Sequence, residues 1–330
     1  MCCGLLSVFF VFLGVGWFLG CVGLVGSWEV FVVVLDVGVV DGVTVYTLVE
    51  DYSGYDTVFL GQHGVSFLIE VFCDGDRTGI LFDVGQSLEP ISYNMELLGL
   101  EPEDIDLIFL SHCHFDHTGG LREMLERIPG DDIPVIGHPS IFRPHFVKEK
   151  EPSRRDIGLP YGRRELEDAG AAFKLSKSPF EVVTGVCSTG EITDRYGFEE
   201  QDSTNFYTRR DGEVVEDWMM DDMSLAINLQ DGVIVVSGCS HAGIASITRK
   251  TQRITNKTKT KAIIGGFHLI NSNKQKIQKT NKKLQKLNTK QLHTGHCTGL
   301  QAECQFKKQW KQNFNKLHAG KKLKLKLKPK

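Results

Sequence analysis

Seven consecutive residues, Ser111-His112-Cys113-His114-Phe115-Asp116-His117, hold three histidines and a carboxylate within six positions. Neutral imidazole and carboxylate are donors suited to zinc, manganese or ferrous iron. The spacing predicts a loop, because a loop lets four side chains converge on one or two ions where a regular helix or strand would separate them. The stretch follows the apolar run Leu107-Ile108-Phe109-Leu110 and leads through Thr118-Gly119-Gly120 into helix-like Leu121 to Leu125. A buried strand that ends at the site and a helix that leaves it are thus the elements that must position these ligands.

The chain of 330 residues is long enough for one large α/β domain or two smaller ones, and 41% hydrophobic residues exclude disorder throughout. The formal charge of −3 hides an asymmetry: residues 248–330 hold 23 Lys and Arg against one acid, Glu303, while residues 1–247 hold 15 against 40. A basic part of this kind can mark a nucleic-acid tail. Here the same part carries His268 and His296 in glycine-rich settings, so it is expected to fold with the rest. Nine cysteines without a C-x-x-C pair argue against a disulfide framework or a zinc ribbon. Cys113, Cys239 and Cys297 each lie inside a histidine motif, and oxidation-prone thiols there favour a reducing cytoplasm.

Residues 1–28 carry no charge, and Leu5 to Val25 is long and apolar enough to span a bilayer. A secretory signal needs a basic n-region, yet the first Lys or Arg is Arg77. The readings are a membrane anchor, a signal segment, or translated sequence ahead of the true start; the last is preferred, and residues 1–41 are expected to be dispensable for catalysis. From Val43 a first strand reads with period two, followed by strands at Val65 to Val71 and Gly79 to Phe82 and a helix at Glu89 to Leu100. Asp106 to Leu110 delivers the metal loop. Between Pro139 and Asp222 the periodicity degrades, and order returns with a hairpin of Ser224 to Leu229 and Val233 to Val236 across an Asp-Gly turn. Helices follow at Ile244 to Ile254, Lys274 to Leu287 and Ala302 to Phe314. Lys322 to Leu327 alternates with period two and reads as a half-buried last strand with lysines outward.

His112-x-His114-x-Asp116-His117 after a short apolar strand resembles the signature of the metallo-β-lactamase superfamily. Gly64 to Glu70, Ile80 to Ser87, Ser237 to Ile244, Gly265 to Leu269 and Gly295 to Gly299 resemble, more narrowly, its archaeal dihydropterin ribofuranosylaminobenzene 5'-phosphate synthase (dihydropteroate-synthase-like) branch. The resemblance runs over roughly Val43 to Leu327. It implies an α/β fold, an αββα sandwich over residues 42–330 with a cap inserted at about 139–222 and the Lys-rich part 248–330 as its end.

The resemblance also implies ligands and roles. His112 and His114 would hold one metal with a later histidine, and Asp116 with His117 a second. His296 matches the last metal histidine ahead of His293 and would join His112 and His114. Cys239 or His241, after the strand Val233 to Val236, would join Asp116 and His117. His268 is a metal ligand or a substrate contact; Asp116 and His268 are the candidate catalytic residues. Asp83 would orient a ligand imidazole, and His63 would reach substrate. Thr294 stands where the branch commonly has proline, so a less rigid loop is expected. His138 is weaker than these, and His145 and His318 read as ordinary surface residues. The cofactor expected is a pair of divalent ions, zinc first, with manganese, iron or magnesium as alternatives.

What this implies for function is a condensation of methanopterin biosynthesis: a dihydropterin methyl diphosphate loses pyrophosphate as it joins a ribofuranosylaminobenzene 5'-phosphate. The alternatives are a metallohydrolase of the same fold acting on a phosphodiester, ester or lactam, and a non-catalytic nucleic-acid or membrane-surface protein. The expected partner is a small phosphorylated substrate rather than nucleic acid, with a membrane reached only through residues 1–28.

Overall fold

A computed structural model of the protein describes residues 34–149, 153–200 and 205–326. The apolar segment 1–28 therefore lies outside the described residues, as does Leu327. Among the described residues no helix is long and apolar enough to cross a membrane.

The first half of the chain supplies β1 (Gly42–Val49), β2 (Ser66–Cys73), β3 (Asp76–Phe82), α1 (Leu88–Leu98), β4 (Leu107–Phe109), α2 (Phe115–Thr118), α3 (Leu121–Leu125) and β5 (Ile133–Gly137). The middle adds β6 (His145–Lys148), β7 (Arg154–Asp156), α4 (Arg163–Asp168), β8 (Ala171–Leu175), β9 (Phe180–Val183), β10 (Val186–Ser188), β11 (Phe206–Arg210) and β12 (Glu213–Glu216). The last part adds β13 (Ser224–Leu229), β14 (Gly232–Ser237), α5 (Ile244–Ile254), β15 (Thr260–Gly266), α6 (Lys274–Lys286), β16 (Thr289–Gly295), α7 (Leu300–Trp310), β17 (Phe314–Lys316) and β18 (Lys322–Lys326). Two seven-stranded sheets, ordered β18-β1-β2-β3-β4-β5-β8 and β17-β16-β15-β14-β13-β10-β9, pack face to face.

Period-two patterning explains the layering. Val43, Val45, Phe67, Ile69, Ile80 and Phe82 face the second sheet, against Leu225, Ile227, Ile234, Val236 and Ile264. The alternate residues Tyr46, Leu48, Leu68 and Leu81 face Leu88, Ile91 and Met95 of α1 on the outside. On the other side Val235, Ile263 and Leu292 pack under α5, α6 and α7. The result is helix, sheet, sheet, helix, with strands buried on both faces.

The segment expected as a cap is only partly one. β8 pairs in parallel with β5 and extends the first sheet, and β10 pairs with β13 and β9 to extend the second. What leaves the sandwich is a separate four-stranded sheet ordered β12-β11-β6-β7. The short strands in this part, interrupted by Pro144 and Pro160, gave too few residues each for a period to register. A glutamate of the same segment starts α5: Glu199 accepts hydrogen bonds from Ala245 N at 2.9 Å, Ser246 N at 2.8 Å and Ser246 Oγ at 2.6 Å, a cap supplied from outside the helix.

Both ends of the described chain are tied down. Before β1, Val40 is fully buried, Leu35 and Val37 pack beside Ile254, and Asn228 Nδ2 donates to the carbonyls of Val37 and Gly38 at 3.1 and 2.7 Å. Folded structure thus begins ahead of the boundary expected at residue 42. A chain starting at Val34 is expected to match the full chain in urea denaturation. One starting at Gly42 should lose roughly 2–3 kcal/mol with the buried valine and the asparagine bonds, and equal midpoints would show the strap to be idle.

At the other end β18 pairs antiparallel with β1, and Leu323 and Leu325 pack against the inter-sheet core. The basic end is a sheet edge. Deleting Lys321 to Lys330 is expected to lower the melting temperature and bare the edge of β1, while leaving salt-dependent nucleic-acid binding unchanged. An unchanged melting temperature with a large loss of such binding would contradict this.

Candidate metal centre

The histidine motif begins where β4 runs out. Asp83, directly after β3 and at φ 56°, turns its carboxylate under the loop. Asp83 Oδ1 accepts from Ser111 N, and Oδ2 accepts from Ser111 Oγ and faces His117 Nδ1, all at 2.7 Å. His112 and His114 precede the helix, His114 as its N-cap at φ −59°, and Asp116 with His117 lies in α2, a single helical turn. The expectation of a loop throughout is corrected here: one turn of helix inside the motif brings Asp116 and His117 round together. Two glycines allow the close packing this needs. A Cβ on Gly64, at φ +120°, would lie 2.0 Å from the Asp116 carbonyl oxygen, and one on Gly238 would lie 2.3 Å from Ser111 Oγ.

The donor atoms form two groups that share Cys239. Asp116, His117, Cys239 and His296 present ligand atoms within 4.8 Å of one another, as do His112, Cys239 and His241. Cys239 Sγ is 3.1 Å from His117 Nε2 and 3.3 Å from His296 Nε2. Asp116 Oδ2 is 3.3 Å from His117 Nε2 and 3.4 Å from His296 Nε2. On the other side His112 Nε2 is 3.1 Å from His114 Nδ1, and the His241 ring stands 4.8 Å from both of those rings. His241 Nε2 is buried without a hydrogen-bond partner. Cys239 stands in both donor groups and His241 in one of them.

The pairing of ligands differs from the expected one. His296 stands with Asp116 and His117, and His241 with His112 and His114. The reason is lateral position: His296 follows β16 and is held from the β1 side, with Nδ1 hydrogen-bonded to Asp51 and its backbone N–H donated to Glu50.

The residues present fit metal ions. Three of the rings have the outer nitrogen engaged by protein and the inner one turned into the cluster: His112 Nδ1 to Ser111 Oγ at 2.8 Å, His117 Nδ1 to Asp83, His296 Nδ1 to Asp51. Burial holds His112, His114 and His241 far below the usual histidine range, as neutral donors. Burial also opposes charge on His117, but Asp116 and Asp83 carry its pKa up to about 9. That half of the site attracts a cation. A thiol, imidazoles and one carboxylate are a donor set for zinc ahead of magnesium.

Around the centre, His268 lies outside both donor groups, its ring 4.2 Å from that of His241, and burial brings its pKa down to about 4. His63 stands at the exposed rim, Nδ1 2.8 Å from Asp51 and Nε2 3.6 Å from Asp116 Oδ2, and its hydrogen bond to Asp51 raises its pKa. His293 turns to Gln291, 3.1 Å away. Thr294, in place of the proline, is buried with its hydroxyl 2.5 Å from that of Thr298.

One histidine was misplaced by sequence reasoning: His145, expected at the surface, is buried with Nε2 2.9 Å from His114 Nε2. His138, the weaker candidate, is buried against Glu191 at 2.9 Å. Asp51, Asp217 and Asp221, which hold the ligand residues from behind, were also missed. The available signal was weak: three acids around Trp218-Met219-Met220, just ahead of the hairpin, are polar groups in an apolar setting.

Residues 60–218 match the sequence profile of the metallo-beta-lactamase superfamily. A Methanocaldococcus jannaschii protein named 7,8-dihydropterin-6-methyl-4-(beta-D-ribofuranosyl)-aminobenzene-5'-phosphate synthase is 43% identical over 289 residues, 87% of this chain and 98% of its own length. The chain belongs to the metallo-beta-lactamase superfamily. Among solved structures, a metal-dependent hydrolase of the beta-lactamase superfamily is 24% identical with a TM-score of 0.71, covering 86% of this chain and 99% of its own. The metallo-beta-lactamase fold protein YhfI from Bacillus subtilis, 11% identical, has a TM-score of 0.52 over 85% of this chain and 99% of its own. The sandwich is thus the metallo-beta-lactamase fold, and its signature histidines sit at one mouth between the sheets.

Proposed function

We propose that the chain is a synthase that holds two divalent metal ions, zinc by preference, and condenses a dihydropterin methyl diphosphate with a ribofuranosylaminobenzene 5'-phosphate. The observation that carries this is the pair of donor groups sharing Cys239, in a chain that spans nearly the whole of a relative named for such a synthase. His112, His114 and His241 would hold one ion, Asp116, His117 and His296 the other, with Cys239 between. Bound there, the ions supply positive charge against the oxygens of a departing diphosphate.

The chemistry left to the protein is orientation and proton transfer. The amine nitrogen of the aminobenzene forms a bond to the pterin methylene carbon as the carbon–oxygen bond to the diphosphate breaks. Pyrophosphate leaves with the electron pair, and the nitrogen gives up a proton. His63, whose pKa is raised by its hydrogen bond to Asp51 at the open rim, is placed to pair with a phosphate oxygen. His268, a neutral imidazole held beside the centre, is placed to take the proton. Phe206 offers a ring face, 5.2 Å from the His114 ring and 6.5 Å from that of His268, against which a flat aromatic substrate can pack.

Incubating the metal-loaded enzyme with the pterin diphosphate tests the reading. Pyrophosphate release should require the ribofuranosylaminobenzene phosphate and match the coupled product mole for mole. Release without it, giving a hydroxymethyl pterin, would identify a hydrolase instead, and elemental analysis showing no bound metal would remove both.

A further inference from the structure

His114 is held from behind by a closed circuit of hydrogen bonds that passes through the third sheet. Its Nε2 faces Nε2 of His145 at 2.9 Å, and His145 Nδ1 faces Asp217 Oδ2 at 2.8 Å. The same oxygen accepts Arg143 Nε–H at 2.6 Å, Arg143 Nη2 donates to Asp221 Oδ1 at 2.7 Å, and Asp221 Oδ2 accepts the Cys113 backbone N–H at 2.9 Å. The circuit leaves the metal loop at His114 and returns one residue earlier. His145, Asp217 and Asp221 are all buried.

The direction of the protons follows from the partners. Burial opposes charge on Asp217, but the bonds from His145 and Arg143 hold its carboxyl well below the usual range, so it accepts. With a neutral ring, His145 donates from Nδ1 to this oxygen, which leaves its Nε2 as an acceptor. The two Nε2 atoms share one hydrogen bond, so the proton belongs to His114. With Nε2 protonated, the His114 lone pair is on Nδ1, the atom 3.1 Å from His112 Nε2 inside the cluster. We infer that His145, through Asp217, is a positioning residue that fixes His114 in the Nε2–H tautomer and so makes Nδ1 its metal-donating atom. This rests on the reading of His112, His114 and His241 as one metal's donors.

Two substitutions separate the role from mere filling of space. In His145→Gln the amide oxygen can replace Nε2 as acceptor for His114. In His145→Asn the shorter amide can still donate to Asp217 but leaves the His114 N–H without an acceptor. Affinity for zinc, measured by chelator competition, and the visible spectrum of the cobalt-substituted protein are expected to stay near wild type in His145→Gln. His145→Asn should lose about 10- to 100-fold in affinity at one of the two sites, with a changed cobalt spectrum. Equal behaviour of the two variants, weakened or not, would overturn the inference. A measurement on the unsubstituted protein stands apart from how the variants fold: 15N shifts of His114 in the metal-free chain should show Nε2 protonated and Nδ1 bare, and the opposite tautomer would also overturn it. Wild-type protein that takes up no zinc would defeat the metal-centre reading itself, a result distinct from either of these.

Discussion

Asp116→Ala is expected to release one metal ion and cut turnover by on the order of 10²–10³, the scale seen when a group is removed from a charged transition-state site. Its Oδ2 stands within 3.3 to 3.6 Å of His117, His296 and His63. Burial raises the cost of that charge, yet the surrounding imidazoles hold the carboxyl well below the usual range. Alanine removes the only carboxylate of this donor group while Cys239, His117 and His296 remain. The fold should persist, because the substitution falls in a one-turn helix whose backbone is anchored to other segments, with Phe115 N donating to the Ile157 carbonyl and the His117 carbonyl accepting from Val84 N. Elemental analysis and turnover check it together: full metal content with full activity would remove Asp116 from the centre.

Asp83→Ala should fail in a different way, by loss of the fold around the site as well as of metal. The carboxylate is fully buried and meets Ser111 N, Ser111 Oγ and His117 Nδ1. Alanine leaves Ser111 N and His117 Nδ1 buried without a partner, at about 1–3 kcal/mol each, and leaves Ser111 Oγ with His112 Nδ1 alone. It also puts an ordinary residue at φ 56°, where roughly 1–2 kcal/mol of strain is expected and asparagine is better tolerated. A loss of about 3 kcal/mol or more in urea denaturation is therefore expected. Asp83→Asn should recover part of that stability but little metal affinity, since its NH2 donates rather than accepts and its single oxygen cannot serve all three partners. A urea midpoint unchanged in Asp83→Ala would show that the metal loop does not depend on this carboxylate.

The weight these two carboxylates carry could be judged differently before and after the fold was known. Asp116 stands inside the motif and Asp83 ends a strand, so both were legible as chemistry from local pattern. Asp51 and Asp217 were not, because each gains its role only by meeting a histidine from another part of the chain, 245 residues away for Asp51 and His296 and 72 for Asp217 and His145.

By itself the sequence determined the strands, through period-two alternation that survives wherever strands are long, and the ligand types, through a motif compact enough to act within one loop. It also indicated that the basic end belongs to the domain, since His296 and the alternating leucines lie there. Only the tertiary structure decided how the ligands divide. The order of strands places the end of β16 beside the residues after β1, so His296 goes to Asp116 and His117. The third sheet brings Phe206 and His145 onto His114, and Phe206 onto His241. Local spacing carries no information about that lateral order, because it arises from which strands pair across the sheet, and pairing is a property of contacts between distant segments.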